Sequence, residues 1–500
     1  MTSLPAGANR FLRSNLLPGA VLALCIARLW LMALPSSFWV DEMATVFVVQ
    51  QGAHHPSFAA APQVPDSLYY LLPRISSALF GQSEIAYRIP SLLAAGLTLL
   101  LMAKLAARLI HPQAGWFAVF GLMAVRDFND HAVDARPYAL GICVAAACVW
   151  LLVRWLDSAK WLDGLAFVLC ASLLWPVHLL YWPFFLVLAF YTVWRLLRRT
   201  TDATIPQAAT VFAVIGLLVV PVALRALQLM RQASAHVIQP LPSLHHVEWS
   251  LRWKLVVLSA AISWMAARVL RWKRETRRLP QGTIALVVAW WLTPPFCLLA
   301  YSYITGNSVF LPRYFSLFLP GLVLTAACAA SPFLNAAHWR TAAILVGAGA
   351  LALLGQWNSP WPPHEHSDWR DAMALVNRQA APQAALPVIC TSPFIEAQPP
   401  NWRPDYPLPG FLYAHLSVYR PSGHILLFPF ERSGISERYA ASLLPRTLTA
   451  PGKFIIYGGA GNVRDWRDWF AQRPELTGWT NRLITFGDVY VVIFTSPSAA

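Results

Sequence analysis

The stretch RIPSLLAAGLTLLLMAKLAARLI, residues 88–110, decides how this chain is read. From Ile89 to Met102 it carries no charged side chain, and Lys104 and Arg108 arrive only near its end. About 20 apolar residues of helix cross a bilayer core, and a helix satisfies its own backbone there. The stretch therefore reads as a membrane span. Comparable runs lie near 15–35, 114–128, 137–155, 161–176, 178–196, 207–227, 253–271, 282–303, 314–331 and 340–356. Together they give an α-helical polytopic membrane protein of about eleven transmembrane helices.

Composition agrees. The chain of 500 residues is 57% hydrophobic and 12% charged, against roughly 25% charged in ordinary soluble domains. Its net charge of +15 does not point to nucleic acid. The basic residues gather in connectors such as RLLRR (195–199) and RWKRETRR (271–278), the pattern that sets orientation in a membrane. Six of the seven cysteines lie in apolar runs and Cys390 lies beyond them, so no disulfide framework and no CxxC metal pair is read. The first run follows Arg10 and Arg13 but has no clear A-x-A cleavage signal, and it is expected to be an uncleaved anchor.

With the N-terminus inside, Lys104/Arg108, Arg154/Lys160, Arg195/Arg198/Arg199, the 271–278 cluster and Arg340 all fall on the inner side. The same alternation places 36–88, 127–136, 229–250, 303–313 and everything from about 357 outside. Arg74, Arg88, Arg126, Arg136, Arg231 and Arg313 then lie on the outer side and ask for a local reason. Two domains are expected: a multi-span membrane domain over 1–356 and an extracytoplasmic α/β domain over 357–500. In the second, a helical pattern (DWRDAMALVNRQA) precedes the strand-like runs LPVICTS, HILLFPF, KFIIYGG and DVYVVIFTS. That domain shows no cluster of catalytic residue types and reads as an acceptor-binding or stabilising part.

Chemistry is expected at the outer mouth of the first span. FWVDE places Asp41 and Glu42 there, and RDFNDHAVDARPYALG places Asp127, Asp130 and Asp134 at another outer end. A lone acidic pair would be a solvated loop feature. Repeated ionisable groups at a membrane edge are costly, and they tend to be functional. Arg136 precedes Pro137 at a helix start, and Arg313 lies in NSVFLPRYFSLFLPG. Guanidinium groups grip phosphate through paired, charge-assisted hydrogen bonds. HHVE (His245, His246, Glu248) and HEH (His364, Glu365, His366) carry metal-capable side chains. Adjacent loop histidines rarely converge on one ion, so no metal site is read and no cofactor assigned, with a divalent cation left open. His178 and Tyr181 in VHLLYWPFF read as interface residues of an aromatic belt.

Four segments in order carry a family resemblance: FWVDE, PDSLYYLLPRISSALFGQSEIAYRIPSLLAAGLTLLL (65–101), DARPYAL (134–140) and FLPRYFSLFLP (310–320). The chain resembles GT-C glycosyltransferases that use lipid-phosphate sugars, the branch of the protein O-mannosyltransferases and lipid A aminoarabinose transferases. The resemblance implies a GT-C-like fold and a site in which Asp41 is the base or acceptor-orienting carboxylate, Glu42 its neighbour and Asp134 a second carboxylate. It further implies Arg136, Tyr138, Tyr69, Arg88 and Arg313 as substrate-binding residues. Asp134 stands where the family usually has glutamate, which draws the carboxyl back by one methylene. Asp66-Ser67 stands where a second proline is expected.

The expected reaction moves a sugar from a polyprenyl-phosphate donor to a glycan, lipid or protein acceptor, by inverting displacement at the periplasmic face of a bacterial inner membrane. Membrane lipids are the other partner, and nucleic acid is excluded. The alternative is a transporter or flippase of lipid-linked saccharide, which predicts mid-membrane polar residues or broken helices in related halves. Here the charges gather at one face.

Overall fold

The chain packs as two units in a computed structural model that describes residues 6–60, 67–233, 240–269, 271–272, 279–382 and 385–497. Asp66 and residues 273–278 of the basic cluster lie outside the described residues. The first unit comprises 1–34, 67–76 and 88–362. The second comprises 35–66, 77–87 and 363–500, so two segments that precede residue 88 group with the C-terminal residues.

Helices build the first unit. Among the described residues, six are long and apolar enough to cross a membrane: Glu84–Leu109, Tyr138–Ser158, Leu179–Leu197, Ile205–Gln228, Gln281–Thr305 and Pro312–Phe333. Asn15–Leu31, Trp161–Val177 and His338–Leu354 are shorter apolar helices, and Trp253–Val269 is a further helix of 17 residues. Among the described residues these helices do not confirm the expected count of eleven. The run 114–128 is the clear departure: it forms Gly115–Met123, only nine residues. At 1.5 Å per residue this covers about 13 Å of a core about 30 Å thick.

The break has a visible cause. Val125 is extended, and a second helix, Arg126–Ala132, follows it. The Asn129 carboxamide donates to the carbonyls of Met123 (2.8 Å) and Val125 (3.1 Å), answering backbone acceptors that the break releases. Its oxygen accepts from the Trp30 indole at 2.9 Å. The segment still runs from one end of the unit to the other. His111 stacks on Trp339 at the start of His338–Leu354, whereas His131 meets Tyr138 at the start of Tyr138–Ser158.

The two ends of the unit differ in chemistry. At one, Arg108 and Arg195 pair with Asp157 (2.5 and 2.7 Å) and Arg154 pairs with Asp163 (2.8 Å). Such half-exposed pairs stabilise little, but they mark an end where basic connectors collect. The opposite end of the same helices holds the residues described below. Arg28 fixes the exit of the last apolar helix. It donates to the carbonyls of Gly355 (2.7 Å), Gln356 (3.0 Å), Ser359 (2.6 Å) and Pro360 (2.8 Å), with its guanidinium 4.8 Å from the Trp357 ring. A cation over unsatisfied carbonyls at a helix C-terminus is the favourable arrangement.

The second unit holds a five-stranded sheet of β1 (Pro387–Thr391), β2 (His424–Phe428), β3 (Lys453–Gly459), β4 (Thr480–Phe486) and β5 (Val489–Thr495), in the order β2-β1-β3-β5-β4. β1 runs parallel to β2 and β3, and β5 is antiparallel to both β3 and β4. Helices Trp369–Ala380, Gly434–Leu443 and Ala460–Ala471 accompany it. One face buries Phe428, Phe454, Trp466, Phe470 and Phe494 together. The β4–β5 turn needs Gly487, whose φ is +62° and where a Cβ would lie 1.4 Å from the His366 carbonyl oxygen.

Candidate active site

The first unit gathers its candidate site side chains around the start of Tyr138–Ser158. Pro137 precedes the first residue of this helix, where its fixed φ suits a helix entry. Arg136 is thereby held at the helix N-terminus, with its guanidinium carbon 5.8 Å from the Tyr138 ring centroid. Arg313 arrives on the Pro312–Phe318 turn, 5.4 Å from the Tyr314 ring.

His178 lies in the middle. Its ring centroid is 4.9 Å from that of Tyr181, 5.6 Å from Tyr314 and 5.9 Å from Tyr138. Nδ1 accepts the Leu180 N–H at 3.3 Å, which leaves the proton of the neutral ring on Nε2. Burial, reinforced by the charges of Arg136 and then Arg313, pushes the His178 pKa down to about 3. His131 is pushed down to about 4 by burial, with Asp127 opposing and Arg313 adding to the shift. Both rings are therefore neutral near pH 7. Two guanidinium groups, a neutral ring N–H and a helix N-terminus make a place for an anion.

The aromatic wall is tightly set. Tyr181 presses on Gly141, where a Cβ would lie 2.2 Å from its ring. The Tyr69 hydroxyl is 3.4 Å from that of Ser91, and Ser91 Oγ donates to the Arg136 carbonyl at 3.3 Å. Tyr69 thus reaches the Arg136 backbone through one side chain. Asp134 is buried two residues before Arg136. Arg88 is fully buried, three residues before Ser91, and donates to the Leu34 carbonyl at 2.8 Å. Asp127 takes both its oxygens to one guanidinium nitrogen of Arg252, at 2.6 and 2.7 Å.

Asp41 and Glu42 belong to the second unit, in the first turn of the helix Val40–Gln51. Glu42 is fully buried and accepts the Trp39 N–H at 3.2 Å, so one carboxylate oxygen serves to cap its own helix. Asp41, one step round the helix, keeps partial exposure. Neighbouring positions on a helix do not face the same way, and the pair separates into a capping acid and a more open one.

Of the expected residues, Arg136, Tyr138 and Arg313 come together, with Tyr69 joined through Ser91. His178, His131 and Tyr314 are additions. His178 read as a belt residue because its sequence neighbours are apolar and aromatic. The signal was the fold itself, which carries Arg313 to a ring 135 positions earlier. His245 and His246 of HHVE are exposed on the helix Leu244–Leu251.

The chain is similar to known proteins in sequence over one stretch and in fold over nearly its whole length. Residues 65–225 match the family described as dolichyl-phosphate-mannose-protein mannosyltransferase. The crystal structure of ArnT from Cupriavidus metallidurans in the apo state is similar over 99% of this chain and 99% of that chain, with a TM-score of 0.54 and 14% identity. The same protein bound to undecaprenyl phosphate is similar over 96% and 98%, with a TM-score of 0.51 and 13% identity. No curated protein sequence matches the chain. The fold is that of these structures, a GT-C-like helical membrane unit with a small α/β portion.

Proposed function

We propose that this chain is a membrane glycosyltransferase that moves a sugar from a polyprenyl-phosphate donor to an acceptor at the periplasmic face of a bacterial inner membrane. The observation that carries the reading is the convergence of Arg136 and Arg313 on His178 at a helix N-terminus. The match to a mannosyltransferase family over 65–225 and the likeness to a structure that binds undecaprenyl phosphate support it. The basic opposite end, with Arg108, Arg154 and Arg195, supports a cytoplasmic placement for that end.

In this reading the acceptor hydroxyl attacks the anomeric carbon while the bond from that carbon to the phosphate oxygen breaks. The electron pair leaves with the phosphate, and the sugar is inverted. Arg136 and Arg313 meet the charge that develops on the phosphate, as preorganised positive groups do. His178 Nε2–H is a neutral donor beside them. Asp41 takes the acceptor proton, Glu42 holds the start of the Asp41 helix, and Asp134 is a second carboxylate. Tyr138 lines the phosphate place, while Tyr69 and Arg88 position the Arg136 segment and the helix behind it.

Comparing the glycans and lipids of deletion and wild-type cells tests the reading. Loss of one sugar from one acceptor, restored by the wild-type gene and not by Arg136→Met with Arg313→Met, is expected. Unchanged glycans with accumulated lipid-linked saccharide on the inner leaflet would instead establish the transporter.

A further inference from the structure

The loop that delivers Asp41 is tied to the C-terminal residues at every step from Pro35 to Phe38. Arg370 donates to the Pro35 carbonyl at 3.0 Å, and the His364 N–H donates to Ser36 Oγ at 3.1 Å. Ser37 Oγ accepts the Arg370 N–H at 3.2 Å and lies 3.4 Å from the Tyr419 hydroxyl. The Phe38 N–H donates to the Tyr419 hydroxyl at 2.9 Å, and the Phe38 ring stands edge-on to Tyr87, 5.7 Å between centroids. Phe38 is itself buried, so this N–H has no solvent to turn to.

Tyr419 is the shared point. Its hydroxyl donates to Glu84 Oε1 at 2.8 Å while accepting from Phe38, and Arg370 reaches the same Glu84 oxygen at 3.2 Å. Burial, with the Glu84 charge adding to it, pushes the Tyr419 pKa upward, so the hydroxyl keeps the proton that this relay needs. The far end of the helix is fixed separately: Phe47 packs on Phe58 and Phe411, and the Phe411 N–H donates to Ser57 Oγ at 3.1 Å. A helix held at both ends presents its first turn in one orientation.

We infer that Tyr419 is a positioning residue for transfer, which sets the Asp41 helix through its hydrogen bonds to Phe38 and Glu84. The inference rests on the reading of Asp41 as the site carboxylate. It gives the C-terminal α/β portion a part in catalysis through another residue, beyond acceptor binding or stabilisation. A misplacement of about 1 Å at a reacting group costs on the order of 100-fold in rate, so loosening this tie acts on the chemical step and leaves donor affinity alone.

The test uses the full chain in nanodiscs, with Tyr419→Phe and Glu84→Gln. In Tyr419→Phe, amide hydrogen exchange over 37–43 is expected to rise about tenfold or more while β1, β3 and β5 keep their protection. The single-turnover rate constant is expected to fall roughly 10- to 100-fold, with donor Kd within about twofold. Glu84→Gln keeps an acceptor for the Tyr419 hydroxyl and is expected to retain most of the rate. Unchanged exchange over 37–43, or a loss of donor binding as large as the loss of rate, overturns the inference. Asp41→Asn measured alongside separates it from its premise. An inactive Asp41→Asn with a fully active Tyr419→Phe overturns the positioning role alone. An active Asp41→Asn with raised exchange in Tyr419→Phe removes the catalytic reading and leaves the structural tie. Should Tyr419→Phe not fold, Ser37→Ala removes the Arg370 and Tyr419 contacts of the same loop, leaves the Tyr419 hydroxyl in place, and carries the same expectation.

Discussion

Tyr181 and Gly141 fit so closely that a single Cβ on the glycine would lie 2.2 Å from the Tyr181 ring and 2.8 Å from its hydroxyl oxygen. The ring is buried and also meets His178, so displacing it disturbs that contact.

Gly141→Ala therefore sets two effects against each other. Alanine in a helix gains about 1 kcal/mol over glycine, while overpacking a buried contact costs about 1–3 kcal/mol. The contact distance decides for the second. Thermal unfolding is expected to show a net loss of stability, and donor binding to weaken with it. Adding Tyr181→Leu is expected to recover stability, whereas a more stable Gly141→Ala would show that the ring yields freely.

Arg28 holds four backbone carbonyls and the Trp357 face at once. Arg28→Met keeps much of the apolar stem and removes every donor. Hydrogen bonds to charged groups contribute about 1.5–3 kcal/mol each, but water will reach some of the freed carbonyls. A loss of about 2–3 kcal/mol is expected in detergent unfolding, with unchanged secondary structure. A loss below about 0.5 kcal/mol would mean that the clamp contributes little.

His178 and His131 give the fold a defined response to acid. Their pKa values of about 3 and about 4 lie below the ordinary 6.5. Between pH 6.5 and those values the unfolded chain binds protons that the folded chain does not, so stability falls as pH falls. Above pH 6.5 both states are neutral at these rings and no contribution remains. The midpoint of unfolding is expected to drop steadily from pH 7 to pH 4. The combined His178→Gln and His131→Gln protein is expected to show a shallower drop, and an equal slope in both would contradict the neutral-ring assignment.

Much of this architecture was legible in the sequence because long apolar runs and short, continuously buried strand runs leave strong local signals. Residues 387–391, 424–428, 453–459 and 489–495 are strands where the sequence reads as strands. β4 was not legible: TNRLITF is an edge strand with its first half exposed, and its polar residues weaken the pattern. The broken crossing at Val125 was hidden for the opposite reason. Its residues are apolar enough for a span, and the Asn129 side chain binds the Met123 and Val125 carbonyls at the break. At the site, DARPY and LPRY pointed to Arg136 and Arg313, while the ring between them was masked by aromatic neighbours. No local signal could give the tie from Phe38 to Tyr419, which spans 381 positions.

Asp41→Asn tests the central claim most directly. The substitution keeps the shape of the side chain, so Val40–Gln51 is expected to stay folded with Glu42 still capping it. The measurement is single-turnover sugar transfer from a polyprenyl-phosphate donor in nanodiscs, with donor binding and thermal unfolding read on the same preparation. General-base catalysis contributes typically about 10²–10⁴-fold, and a loss of that size with intact donor binding and near wild-type stability is expected. A solvated loop acid changed to its amide alters stability by within about 0.5 kcal/mol and leaves function alone. Transfer at near wild-type rate by a folded, donor-binding Asp41→Asn protein would contradict the account.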